Sequence, residues 1–172
     1  MQTLDREVAT TDAAASLIDQ ELNGAVRQID ESKGKYYFLS NFYQREFTLY
    51  GKTCASGEHG FQAAKAATEE NHERVRLEKT AYRAKLLARR IKLRPDWAEV
   101  KVDLMEQVLR AKFADPKMGQ KLLGTGDTQL IEGNDWGDTV FGCVRGKDGE
   151  WRGHNHLGKL LMKVRADLRD RA

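Results

Sequence analysis

The stretch ASGEHGFQAAKA, residues 55–66, constrains the fold more than any other in this 172-residue chain. Apart from Glu58, His59 and Lys65 it is small, apolar or neutral, so a helix built from it packs tightly against its surroundings. Ser56 stands where an N-cap belongs, and the pattern predicts a helix of roughly 12 residues from there. Glu58 falls in the first turn, where the helix dipole favours a carboxylate. Lys65 follows seven residues later, close to two turns or roughly 10 Å along the axis, on the same face. Helical side chains lean toward the N-terminus, so the lysine reaches back toward the acid. An acid in a first turn and a lysine on a wet face are routine on a solvated helix. The neighbouring Phe61, Ala63, Ala64, Ala66 and Ala67 point instead to an acid–base pair lining a cleft. These residues alone leave both readings open.

The rest of the chain bounds the class. Its length allows one domain with a real core, and 40% hydrophobic with 32% charged residues is ordinary for a soluble globular protein. No run is long and apolar enough to cross a membrane. The opening MQTLDREVATTDAAAS is acidic and polar, unlike a signal peptide. Cys54 and Cys143 match neither a zinc spacing nor a disulfide scaffold. A reduced, cytoplasmic protein is expected. A net charge of +3 admits an anionic ligand without demanding nucleic acid.

Periodicity sets the expected elements. Ile18, Leu22, Ala25 and Ile29 repeat at helical spacing over residues 12–30, and Glu31-Ser-Lys-Gly34 breaks the pattern. YYFLSNFYQREFTLYGKTCAS, residues 36–56, reads as extended chain and a hairpin turning at Gly51, with Phe47 and Leu49 alternating with polar neighbours. A second helix is expected over roughly 72–90 with Val75, Tyr82 and Leu86 inward. Arg94-Pro95-Asp96 interrupts it, and Pro95 suits the first turn of a third helix carrying Trp97, Val100, Leu104, Val108 and Ala111 on one face. Asp115-Pro116 opens a short helix that Gly124 ends. Short strands and turns follow in residues 128–146. The last helix starts near Asn155 and buries Leu157, Leu160, Leu161, Val164 and Leu168. The sum is a helix-rich α+β single domain with a small antiparallel sheet.

Other segments carry chemistry-bearing groups. In EGNDWGDTVFG, residues 132–142, Glu132, Asn134, Asp135 and Asp138 alternate with Gly133, Gly137 and Gly142 and the aromatics Trp136 and Phe141. Glycines permit close approach of a ligand, and an aromatic ring beside carboxylates suits a planar base or sugar held near a proton-transfer group. The same run also fits a polar turn between strands. FLSNF, residues 38–42, sets Ser40 and Asn41 between large apolar groups; these side chains suit a ribose or base edge, or cap their own turn. Arg83, Lys85, Arg89, Arg90, Lys92 and Arg94 form a basic cluster suited to phosphate, to a nucleic-acid backbone, or simply to solvent. His154 and His156 have no third ligand in sequence, so no metal is expected.

FLSNF, SGEHGFQAAKA, RRIKLRPDW, LRAKF, LIEGNDWGDTVFG and GHNHLGKLLMKVR occur in that order, and the series resembles the YbiA-like family, also called NADAR. The resemblance runs from about residue 29 to 168 and makes residues 29–172 the YbiA-like catalytic domain. Residues 1–28 stand outside it as a helical N-terminal extension. The resemblance implies a compact α+β N-glycosidase that splits a ribose C1–N bond. One branch of the family acts on riboflavin-pathway intermediates bearing a phosphoribosyl amine. Another removes ADP-ribose from modified guanine in nucleic acid and can counter toxins that add it. Carried over by position, the family's glutamate is Glu58, its lysine Lys65, and the acid of its D-x-x-W-G motif Asp138. The motifs further mark Phe38, Ser40, Asn41, Arg89, Trp97, Asn134, Trp136, Phe141, Gly142 and Asn155 as substrate-binding. The D-x-x-W-G tryptophan is Phe141 here, and the usual Gly-Arg before the basic segment is Ala88-Arg89. Both changes bear on substrate choice. Neither a metal nor a cofactor is implied. The partner is ADP-ribosylated nucleic acid or a small ribosyl nucleotide, with a non-catalytic ADP-ribose or nucleic-acid-binding module as the third reading. The basic cluster favours the substrate with more than one phosphate.

Overall fold

The computed structural model describes residues 28–30 and 32–171, so most of the helix expected over 12–30 lies outside the described residues. At its expected end Gln28–Ile29 is instead strand β1, paired in parallel with β4 (Gln129–Leu130). Ile29 is buried in the main core, and its carbonyl accepts from Ile131 N at 2.8 Å. Gly34–Leu39 is a 3₁₀ helix where extended chain was expected. Its tight turn lets the adjacent Phe38 and Leu39 both enter the core.

The expected hairpin is present as β2 (Gln44–Leu49) and β3 (Lys52–Ser56). Tyr50 and Gly51 both take positive φ, 51° and 77°, the backbone that matches the twist of a two-residue hairpin. Ser56 then caps α1 (Gly57–Ala63), accepting from His59 N. Every residue of α1 is buried, as its composition demands, but it is seven residues long and Lys65 lies beyond it. The chain leaves the helix because residues 65–67 pair with 92–94: Arg94 N donates to Lys65 O at 2.8 Å and Ala67 N to Lys92 O at 3.0 Å.

The single helix expected over 72–90 is two, α2 (Glu69–Arg76) and α3 (Ala81–Ala88). Thr80 caps α3 by accepting from Arg83 N, and the buried His59 pairs through Nε2 with Glu78 O at 3.0 Å. These contacts stabilise the turn that separates the helices. The break changes the helical phase, so Val75 is buried while Tyr82, expected inward, is exposed. Pro95 precedes α4 (Trp97–Phe113), whose N-cap is Asp96. The helix α5 (Pro116–Leu123) starts on the Asp115 cap and ends at Gly124 as read from sequence.

After β4 come β5 (Gly133–Asn134), β6 (Cys143–Arg145) and β7 (Trp151–Arg152). The β5–β6 pair is parallel and the β6–β7 pair antiparallel. The final helix α6 (His156–Arg169) packs on α4 and α5. One core joins the 3₁₀ helix, the hairpin, α1, α4, α5 and α6, giving a helix-rich α+β domain with small sheets. Cys54 and Cys143 are both buried and free. Among the described residues no helix is long and apolar enough to cross a membrane.

Candidate active site

The first turn of α1, the turn after it, the 40–42 loop, the start of α4 and the 132–141 segment meet around a cleft of about 330 Å³. Glu58 enters it from α1. Its backbone N–H donates to Asn41 O at 2.8 Å, and a Cβ on Gly57 would lie 2.8 Å from Asn41 Oδ1. Glycine at 57 is what lets the 40–42 loop close over the helix start. Glu58 is 5% exposed, and its Oε1 accepts from Gln62 Nε2 at 2.7 Å. Burial pushes its pKa up against the Gln62 bond and the charges of Lys85 and Lys65; nearby Asp138 also pushes it up.

Lys65 reaches the same cleft from the turn beyond α1. Its Nζ lies 5.6 Å from the Phe61 ring centroid and 5.4 Å from that of Trp97, a setting that favours the ammonium. Burial pushes its pKa down, Glu58 pulls it up, and Lys85 and Arg89 push it down again. Asp138 lines the same cleft. Its Oδ1 accepts from Val140 N at 2.9 Å and Phe141 N at 3.0 Å. Asn134 clamps the same loop, donating to Asp138 O at 2.7 Å and accepting from Asp138 N at 2.9 Å. Phe61 meets both Trp97 and Phe141 at 5.2 Å between centroids, so three rings form one wall.

The cleft therefore brings together Ser40, Asn41, Glu58, Lys65, Trp97, Trp136, Asp138 and Phe141. The other sequence-predicted residues lie elsewhere. Phe38 is in the core, edge-on to Phe113 at 6.4 Å. Arg89 is exposed at the C-cap of α3. Asn134 borders a neighbouring cavity. Gly142 gives the backbone room: a Cβ there would meet Glu132 O at 2.4 Å. Asn155 is buried, with its Oδ1 accepting from Glu132 N at 3.0 Å and its Nδ2 donating to Leu130 O at 2.9 Å.

Glu132, Gln62, Lys85 and Lys101 also line the cleft, and sequence reasoning assigned them no specific role there. Gln62 stands four residues after Glu58, the spacing of helical neighbours. Lys85 belonged to the basic run; its Nζ sits 5.5 Å from the Phe42 ring and 5.7 Å from that of Trp136. Burial pushes Glu132 up to about 7, helped by Asp138 and Glu58. A possible metal-ligating group among the described residues, Glu69, His72 and Glu73, shares no residue with the cleft. Lys52 and Arg76 bond to its acids.

This cleft on this helix-rich α+β scaffold defines a class. A family model described as the NADAR domain matches residues 29–169, and the chain belongs to the NADAR family. Escherichia coli YbiA, named an N-glycosidase, is 32% identical over 90% of this chain and 95% of its own length. A riboflavin biosynthesis protein of Vibrio vulnificus is 36% identical over 83% of this chain, which spans 38% of that protein. An N-glycosidase of Nostoc punctiforme is 32% identical over 78% of this chain and 87% of its own. The solved structure of Escherichia coli YbiA superposes with a TM-score of 0.71 at 32% identity, covering 84% of each chain.

Proposed function

We propose that this protein is an N-glycosidase that splits a ribose C1–N bond, with ADP-ribose attached to guanine in nucleic acid as its substrate. The observation that carries the reading is the convergence of Glu58, Lys65 and Asp138 on one aromatic-walled cleft. Breaking a C1–N bond builds positive charge on the sugar, which carboxylates held at that point stabilise. A carboxylate also activates the attacking water. Lys65 offers a second route: as a neutral amine its Nζ attacks C1, the base leaves, and the adduct opens to an imine that water hydrolyses. Asp138, fixed by two backbone N–H bonds, either orients the ribose hydroxyls or takes a proton. Lys85 and Lys101 border the cleft, and Arg89 contributes charge close to Lys65; these cations suit a diphosphate.

A second reading has its own support. The Vibrio relative is named a riboflavin biosynthesis protein, which favours a phosphoribosylamino-pyrimidine as substrate. The test incubates purified protein with ADP-ribosylated DNA and, separately, with that pyrimidine, and follows the released sugar phosphate. Release of ADP-ribose supports the first reading, and release of ribose phosphate the second. Tight binding without release from either would leave a binding module.

A further inference from the structure

A second cavity, of about 370 Å³, lies beside the cleft and shares Ser40, Glu132 and Trp136 with it. Glu132 thus stands in the wall common to both. Its Oε2 accepts from Ser32 Oγ at 3.2 Å. The two spaces differ in chemistry. The first holds Glu58, Lys65 and Asp138, groups suited to a reacting sugar. The second sets the acceptors Asp30 and Asp135 beside the cations Lys33 and Arg145, together with the ring of Trp136, which is 64% exposed. Carboxylates that accept beside an indole face suit a planar base bearing exocyclic amino groups.

We propose that the second cavity holds the amino-substituted heteroaromatic base of the substrate, and that Glu132 protonates the base nitrogen as the C1–N bond breaks. The inference rests on the N-glycosidase reading above. In this step the C1–N electron pair stays with the base nitrogen, which takes the Glu132 proton. C1 gains a bond to water oxygen or to Lys65 Nζ. The water consumed in the full cycle gives its oxygen to C1 and a proton back to Glu132. A proton donor matters here because an anionic base is a poor leaving group.

The surroundings of Glu132 fit that task. Burial raises its pKa to about 7, with Asp138 and Glu58 raising it and Ser32 and Lys112 lowering it. At neutral pH a large share of the group therefore holds its proton, as a general acid must.

The experiment uses the full chain and whichever of the two substrates the wild type cleaves. If the wild type cleaves neither, the glycosidase reading itself fails. With a substrate in hand, the wild-type single-turnover rate should fall with rising pH above about 7, and Glu132→Gln should lose about 10²-fold in rate together with that alkaline fall. Glu132→Asp, which retains an acid, should be slower but keep the fall. Asp135→Ala should raise KM about fivefold or more while leaving affinity for the released sugar phosphate unchanged. A folded Glu132→Gln protein within threefold of wild type would overturn the acid role while leaving the glycosidase reading intact. Should that variant not fold, a Glu132→Asp rate independent of pH would do the same. An unchanged KM in Asp135→Ala would remove the base from the second cavity.

Discussion

Lys112 Nζ donates to the Ser40 carbonyl oxygen at 2.8 Å with the lysine wholly withdrawn from solvent. It ties α4 to the loop that carries Asn41 and Phe42 into the cleft. Burial drives Lys112 down to about 7 from an ordinary 10.5, while Glu132, which draws the lysine upward, is itself raised to about 7 from 4.5. The two titrations tilt stability in opposite senses. Between about 7 and 10.5 the unfolded chain holds the extra lysine proton, so stability rises with pH, by up to about 1.4 kcal/mol per unit. Between about 4.5 and 7 the folded chain holds the extra Glu132 proton, so stability falls as pH rises. Their combined contribution passes through a minimum near neutral pH. In denaturant unfolding measured across that range, Lys112→Met should flatten the alkaline rise and Glu132→Gln the acid-side fall, each leaving the part that Lys65 and Glu58 contribute in the same senses. Parallel curves for wild type and both variants would refute the assignment.

Glu58→Gln should leave the fold intact, because an amide oxygen still accepts from Gln62 Nε2, and should lower turnover by about 10²-fold or more. Melting temperature and single-turnover rate together check this. A folded variant with near wild-type turnover would remove Glu58 from the chemistry.

Trp97 packs on Phe61 at 5.2 Å and holds the Lys65 ammonium 5.4 Å from its ring. Trp97→Phe keeps a ring but shrinks the wall. It should weaken substrate binding or lower the melting temperature more than it slows the chemical step. A large loss of single-turnover rate at unchanged affinity and stability would assign Trp97 a direct part in the reaction.

Much of this arrangement was legible where one local rule acts alone. Ser56 as cap, the alternation of Phe47 and Leu49, the Asp115 cap and the stripe on α6 each depend on near neighbours, and each stands as read except that Leu168, at the end of the stripe, is only half-buried. The failures came where distant chain decided. Lys65 left the helix because residues 92–94 offered its backbone a strand partner, and no helical period records that. The 72–90 segment split at a turn held both by the local Thr80 cap, a signal the periodicity reading passed over, and by His59, far back in sequence, which bonds to the Glu78 carbonyl. Glu132 stood in a motif already singled out, but its burial between two cavities has no trace in its spacing. The shared motifs marked Asn155 as a ligand contact, yet motif position alone cannot tell a group that touches substrate from one that holds the backbone around it.

Asn155 offers a direct test of that distinction. Its side chain bonds Glu132 N and Leu130 O, and its own φ is 52°, a region asparagine tolerates better than most residues. Asn155→Ala would take a partner from the buried Leu130 carbonyl and from the half-buried Glu132 N–H and strain the turn, at a cost of about 2–4 kcal/mol. Asn155→Gly relieves the strain while losing both bonds, so it should recover only part of the loss. KM of the folded fraction should stay near wild type in both. A raised KM with unchanged stability would return Asn155 to the substrate.

The route of C–N cleavage turns on Lys65. Two influences oppose each other at its amine. Burial and the charges of Lys85 and Arg89 favour the neutral form, which is the nucleophile; Glu58 and the Phe61 and Trp97 rings favour the ammonium. Substrate entering the cleft displaces water, which strengthens the first influence. It also brings phosphate, which strengthens the second. Covalent trapping separates the outcomes. If the amine attacks C1, borohydride added during turnover reduces the imine to a stable adduct on Lys65, and Lys65→Ala abolishes it. Lys65→Arg keeps the charge and removes the nucleophile, so it should be as inactive as Lys65→Ala. A variant Lys65→Arg that retains most of its activity, with no adduct in the wild type, would make the lysine a phosphate or ribose contact and leave Glu58 and Asp138 to direct water at C1.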